Sequence, residues 1–194
     1  DSVASRGLGD VYKRQWLFQG AIEPAFFEGR FHPLLGRPNI EVPSGGVFAD
    51  AVAINYYSRT AVRGFSDATF PGTQTNDLGW EIYPPGIAEV SGELARRYQL
   101  PVWITENGTA DAHERFRCAF ILDHLAELSR MPEVERYYHW CFVDNWEWSE
   151  GIAQKFGVVD IERQVKPAGR LLQELIREGA ITPEIDAKFR EEGH

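Results

Sequence analysis

Three short apolar runs, each ending in polar residues and each followed by a stretch of helical periodicity, constrain this chain more than any other feature. Residues 47–57 are nearly continuous in apolar character through Val47, Phe48, Ala51, Val52, Ala53, Ile54, Tyr56 and Tyr57, which predicts a strand buried on both faces. Residues 101–105 predict a second short buried strand and residues 137–143 a third, rich in aromatic side chains. Pro84-Pro85-Gly86 opens a helix in which Ile87, Val90, Leu94 and Tyr98 recur at three- and four-residue steps. Residues 113–130 repeat that periodicity with Phe116, Phe120, Leu125 and Leu128, and residues 167–177 do so with Ala168, Leu171, Leu172, Leu175 and Ile176. Strand–helix alternation is the pattern of parallel βαβ units. Three units do not close a barrel, and periodicity alone leaves an open doubly wound sheet equally available.

Polar residues sit immediately after each predicted strand: Asn55 to Ser58, Glu106-Asn107, and Asp144 to Glu150. Ligands bind at that end of the sheet in parallel α/β folds, because loops of free composition meet there. Upstream, residues 16–31 read as an apolar helix or turn region interrupted by Pro24 and closed by Gly29, and residues 33–46 as a Pro/Gly-rich loop. Asp10-Val11-Tyr12-Lys13-Arg14-Gln15 resembles a translated transposon end of the kind used in sequencing libraries, and no Met opens the chain. Residues 1–15 are therefore expected to be a cloning or assembly artefact or a disordered terminus, outside the folded part that begins at Trp16.

With 194 residues, 43% of them hydrophobic and 25% charged, the chain is long enough to bury a core. A net charge of -9 lacks the basic footprint of a nucleic-acid binder. No apolar stretch reaches bilayer length, so no membrane association is expected. The two cysteines, Cys118 and Cys141, form neither a disulfide framework nor a metal or redox spacing. A reducing compartment, hence the cytoplasm, is the default. His113, His124 and His139 lack metal-ligand spacing, and no metal or cofactor is expected.

Glu106 stands in Trp103-Ile104-Thr105-Glu106-Asn107-Gly108, directly after a predicted buried strand. A carboxylate held there by rigid backbone is placed to attack an electrophilic carbon, and Gly108 would let the chain turn sharply behind it. Taken alone, Glu106 reads as a solvated loop glutamate, Trp140 as core in an aromatic strand, and Tyr57 as buried structure. Trp146 reads as core in either case. Four motifs in order weigh against those readings. Asn55-Tyr56-Tyr57-Ser58, Gly79-Trp80-Glu81-Ile82-Tyr83-Pro84, Ile104-Thr105-Glu106-Asn107-Gly108 and Asp144-Asn145-Trp146-Glu147-Trp148, the last followed by Gly151 and Lys155-Phe156-Gly157, together resemble glycoside hydrolase family 1. That is the family of β-glucosidases and β-galactosidases.

The resemblance implies the C-terminal part of a (β/α)₈ TIM barrel, an α/β fold, of which about three parallel βα units lie within residues 16–194. It implies a retaining β-glycosidase acting on terminal, non-phosphorylated β-D-glycosides or oligosaccharides. Glu106 would be the nucleophile that forms a covalent glycosyl-enzyme, and Tyr57 would hydrogen-bond and orient it, while Asn55 would help order the same cluster. Trp140 would be the platform under the sugar ring. Glu147 would accept from the 4- and 6-hydroxyls, the Trp148 indole would donate to a further hydroxyl, and Phe156 would close the pocket near the 6-position. The family's acid/base glutamate lies in an Asn-Glu-Pro motif, which this sequence lacks. Glu23-Pro24 follows Ile22 and lies too close in sequence to Glu106 to replace it. The missing group, with other sugar contacts, is expected on an N-terminal part of the same barrel, so the isolated chain is expected to be inactive. Two other readings stand beside this one. A 6-phospho-β-glycosidase would resemble a pattern with Ser, Lys and Tyr where Glu147, Gln154 and Phe156 stand, and a carboxylate at 147 would repel the phosphate. A non-catalytic carbohydrate-binding remnant would keep the tryptophans without the chemistry.

Overall fold

The computed structural model describes residue 16 and residues 20–33, 48–63 and 66–191. The expectations for residues 1–15 and for most of the 33–46 loop fall outside them. A short helix α1 (Glu23–Phe27) comes first, then strand β1 (Val52–Asn55), a hairpin of β2 (Ala61–Arg63) and β3 (Ser66–Ala68), and helix α2 (Pro85–Tyr98). Strand β4 (Val102–Asn107), helix α3 (Arg117–Leu128), strand β5 (Val134–His139) and helices α4 (Pro167–Glu178) and α5 (Pro183–Glu191) complete the order. The central sheet runs β1-β4-β5, parallel throughout, with α2 and α3 as the crossovers.

Each boundary has a local cause. Pro85 occupies the first turn of α2, where its missing N–H costs nothing, and Gln99 closes the helix in the left-handed region at φ 55°. Helix α3 starts four residues later than the periodicity predicts, because Asp111 Oδ2 accepts the backbone N–H groups of Phe116 and Arg117 at 2.8 and 3.0 Å. Residues 113–116 are thereby drawn into a turn rather than a helix. Helix α4 opens at Pro167 and ends at Gly179, which takes φ 68° as its cap. In α1, Pro24 sits in the first turn and starts the helix instead of interrupting it. Arg97 Nη1 to Glu23 Oε2 at 3.1 Å, and Phe27 against Tyr98 with ring centroids 4.3 Å apart, dock α1 onto α2.

The core lies on one face of the sheet only. Val52, Val102 and Ile104 pack with Ile87, Ala95 and Tyr98 of α2 and Leu128 of α3. A second cluster joins Phe120, Ile121 and Leu122 of α3 to Leu171 and Leu175 of α4 and Ile185 and Phe189 of α5. The opposite sheet face carries Ala53 and Asn55, both exposed, with Trp103 and Thr105 partly covered. The expectation of a first strand buried on both faces over 47–57 is thus corrected: β1 has four residues, and among the described residues no helix covers its second side. The other two strands are also displaced from their predicted spans. β4 extends through Asn107, so Glu106 belongs to the strand rather than following it. β5 begins at Val134 and ends at His139, leaving Trp140 just past its end. Val90 and Ile176, expected on buried helix faces, are exposed; the buried stripe of α2 is Ile87, Ser91, Ala95 and Tyr98 instead. The β2–β3 hairpin and α5 were not among the predicted elements.

Candidate active site

The regular ladder gives way where the polar residues begin. Its register shifts between Ile54 and Asn55 on β1 and between Ile104 and Asn107 on β4, which brings Asn55 opposite Glu106. Glu106 Oε2 accepts a hydrogen bond from the Tyr57 phenol at 2.6 Å. Burial first, then the bond to Glu106 and the nearby negative charges of Glu106 and Glu147, push the Tyr57 phenol far above its usual range. Tyr57 therefore stays a neutral donor to Glu106. Asn55 Oδ1 accepts from Thr105 Oγ1 at 2.7 Å, fixing the residue that precedes Glu106.

Trp140 leaves β5 with its backbone N–H on the Asn107 carbonyl at 2.9 Å, and its indole Nε1 donates to Glu147 Oε1 at 3.3 Å. Burial raises the Glu147 carboxyl above the usual range, and the charges of Glu106 and Asp144 add to it; the Trp140 bond works in the opposite direction. Tyr57 and Trp140 pack against the same buried cluster of Ala110, Cys141 and Phe156, which joins the Tyr57–Glu106 pair to the Trp140–Glu147 pair. The loop carrying Glu147 is anchored by Asp144, which accepts from the Gly157 N–H at 2.8 Å and pairs with Lys166 Nζ at 2.9 Å. The structure thus gathers Tyr57, Glu106, Trp140 and Glu147. Phe156 is buried with Ala110 and Cys141 and meets the Tyr57 ring edge-on, centroids 6.1 Å apart. The Cys141 thiol, pushed up to about 12 by burial, is no nucleophile.

Two tryptophans of the same loop are exposed. Trp148 is 88% exposed. Trp146, expected in the core, is 69% exposed, and its indole donates to the Trp148 carbonyl at 2.8 Å across the tip of the same loop. An indole that finds its polar partner within its own turn has no need of the interior. The role expected of Gly108 also changes. It has no positive φ; a Cβ there would collide with the Trp140 carbonyl oxygen, so the glycine serves close approach of two chains rather than a sharp turn.

Residues not singled out from the sequence complete the surroundings. Trp80 packs against Tyr57 and Phe156 with centroids 5.9 and 6.1 Å away. The next residue, Glu81, is 1% exposed and pairs with Arg59 at 2.6 Å, while the Arg59 guanidinium lies over the Tyr83 ring at 3.7 Å and the Phe70 ring at 4.4 Å. A cavity of about 610 Å³ opens among Asn55, Tyr57, Arg59, Thr69, Trp80 and Glu81, so Tyr57 is shared between this hollow and the Glu106 cluster. The signal for Trp80 was its place within a quoted motif; nothing in the sequence alone joined it to Tyr57. Among the described residues, no group of His, Cys, Asp and Glu could hold a metal ion, and no helix is long and apolar enough to cross a membrane.

A parallel sheet with helices on its outer side and a carboxylate cluster at the strands' C-terminal ends defines part of an α/β barrel of the glycosidase class. The sequence profile of Glycosyl hydrolase family 1 matches residues 46–179, and the chain belongs to that family. It is 30% identical over 162 residues to a β-galactosidase of Saccharolobus solfataricus, covering 71% of this chain and 33% of that protein. It is 30% identical over 200 residues to a β-glucosidase of Agrobacterium sp., covering 84% of this chain and 43% of that protein. The structure of a β-glycosidase from Pyrococcus horikoshii superimposes with a TM-score of 0.80 and 26% identity, over 96% of this chain and 47% of that one. The chain therefore spans between a third and a half of the length of these relatives.

Proposed function

We propose that residues 16–194 form the C-terminal part of a retaining β-glycosidase that hydrolyses terminal, non-phosphorylated β-D-glycosides of the glucoside or galactoside type. The observation that carries the reading is the 2.6 Å bond from the Tyr57 phenol to Glu106, beside the hydrogen-bonded pair of Trp140 and Glu147. Tyr57 holds one carboxylate oxygen, which leaves the other free to attack the anomeric carbon. The indole of Trp140 offers an apolar face to the C–H side of a pyranose, and Glu147 offers an acceptor for its hydroxyls. A carboxylate at 147 disfavours a phosphorylated sugar by charge repulsion.

Retention requires a second carboxyl group about 5–5.5 Å from the nucleophile, acting as acid and then base. The sequence contains no Asn-Glu-Pro to supply it. The isolated chain is accordingly proposed to be inactive, and the reaction to need the chain joined to an N-terminal part of the same barrel.

The test is azide rescue of a Glu106→Ala variant in the complete barrel. Removal of the nucleophile abolishes turnover of an aryl β-glucoside; added azide restores it and yields the α-glycosyl azide, the inverted product. Full turnover by the Glu106→Ala variant without azide, or a β-configured azide product, contradicts the reading. The purified 194-residue chain is predicted to show no turnover of the same substrate.

A further inference from the structure

Behind the nucleophile lies a buried polar chain that the proposed chemistry does not use. The strand alternation of β4 turns Asn107 away from Glu106, and its side chain is completely buried. Its amide Nδ2 donates to the Tyr56 carbonyl at 2.7 Å. Its Oδ1 accepts from the Tyr137 phenol at 3.0 Å. The Asn107 carbonyl accepts the Trp140 N–H at 2.9 Å, and Tyr56 N–H donates to the Glu106 carbonyl at 2.9 Å. These bonds fall where the β1–β4 and β4–β5 registers slip, so the amide bridges three strand ends across a gap in the backbone ladder. Burial lowers the His139 imidazole to about 3, so it is neutral. Its Nδ1 lies 3.4 Å from the Tyr137 phenol, at the long end of a hydrogen bond. A consistent direction of donation then runs from Tyr137 through Asn107 to the Tyr56 carbonyl.

We propose that Asn107 is a positioning residue that sets Tyr57 and Trp140 on the two sides of Glu106; the proposal rests on the reading of Glu106 as the nucleophile. The Tyr56 peptide that it holds leads directly into Tyr57, whose phenol bonds the carboxylate, and its own carbonyl seats Trp140. The position needs one donor and one acceptor with fixed polarity and the reach of a single methylene. Aspartate lacks the donor, leucine lacks both, and glutamine is one carbon too long for a site without free volume. When the amide is lost, the two segments drift and the Tyr57–Glu106 bond loosens. A carboxylate held less firmly is aimed less well at the anomeric carbon, which lowers kcat more than it changes KM.

Asn107→Leu, close in size and uncharged, tests this in the complete barrel, beside Tyr57→Phe and the double variant. kcat is expected to fall about tenfold with KM changed less than about twofold. In the Tyr57→Phe background, Asn107→Leu should lower kcat little further, because the bond it acts through is already gone. A kcat that is unchanged while only the melting temperature drops overturns the proposal, as does a loss of kcat that adds in full to that of Tyr57→Phe. Should Asn107→Leu fail to fold, Tyr137→Phe decides by the same readout: the same direction with a smaller size is expected, and an unchanged kcat overturns the proposal. Azide rescue of Glu106→Ala run alongside keeps the two claims apart, since rescue with an unchanged kcat in Asn107→Leu refutes the role of Asn107 alone.

Discussion

The Tyr57 phenol reaches Glu106 Oε2 across 2.6 Å, from the segment after β1 to the last turn of the pleat in β4, 49 residues further along the chain. Neither side chain could hold this position from a solvated loop. Both are set by neighbouring parallel strands whose backbones are joined by the Tyr56 N–H to the Glu106 carbonyl.

Removal of that phenol is the first prediction. A hydrogen bond to an ionised group contributes about 1.5–3 kcal/mol. Tyr57→Phe should therefore lower kcat of the complete barrel by about ten- to a hundredfold. Steady-state kinetics check this; an unchanged kcat means that the bond plays no part in the chemistry.

Gly108→Ala should be far more damaging than an alanine at an ordinary loop glycine. The added methyl has no room beside the Trp140 carbonyl, so either β4 or Trp140 must move. Overpacking of this kind costs about 1–3 kcal/mol. Urea denaturation should report the loss, and near-ultraviolet circular dichroism should report displacement of the Trp140 indole.

The Arg59–Glu81 pair yields a third prediction. Among the described residues, Arg59→Met leaves the buried Glu81 carboxylate with only the Phe70 N–H at 3.5 Å as a partner. Leaving such a group unpaired costs about 1–3 kcal/mol. Thermal melting should fall accordingly. Turnover of bulky aryl glycosides should suffer more than that of small ones, since Trp80 adjoins Glu81 on the cavity wall.

Stability should decline in mild acid through His124. Burial lowers its imidazole from 6.5 to about 4, against a smaller opposing effect of the bond at Nδ1 with the Phe120 carbonyl. The folded state then binds the proton less readily than the unfolded chain. Its stability contribution is present in full above about pH 6.5 and is lost as pH falls toward about 4. Urea midpoints measured at pH 7 and pH 5 should differ, and His124→Gln should flatten the difference. An equal slope in the variant rules out this histidine as the source.

Fold class and the four gathered site residues were legible because they depend on local pattern: apolar runs, polar residues at strand ends, and family motifs. Strand limits were less so. β5 opens with Val134, Glu135 and Arg136, which lie outside the predicted strand. In the structure Glu135 accepts from the Trp103 indole at 3.2 Å and Arg136 lies over the Trp103 ring at 4.3 Å, so a neighbouring strand satisfies them. Aromatic content carried the predicted strand on past His139 through Phe142, which is exposed. Asn107 and Trp80 were invisible as partners of the site for a related reason. Their value lies in contacts with segments 30 to 76 residues away, which no window of sequence displays.

The account stands on Glu106 as the atom donor that bonds to sugar. The direct measurement is mass spectrometry of peptides from the complete barrel treated with 2,4-dinitrophenyl 2-deoxy-2-fluoro-β-D-glucoside, whose leaving group departs without acid assistance. One fluoroglucosyl unit on the peptide bearing Glu106, absent from Glu106→Ala, is the predicted result. Attachment at any other carboxylate, with Glu106 unmodified and the enzyme inactivated, contradicts it.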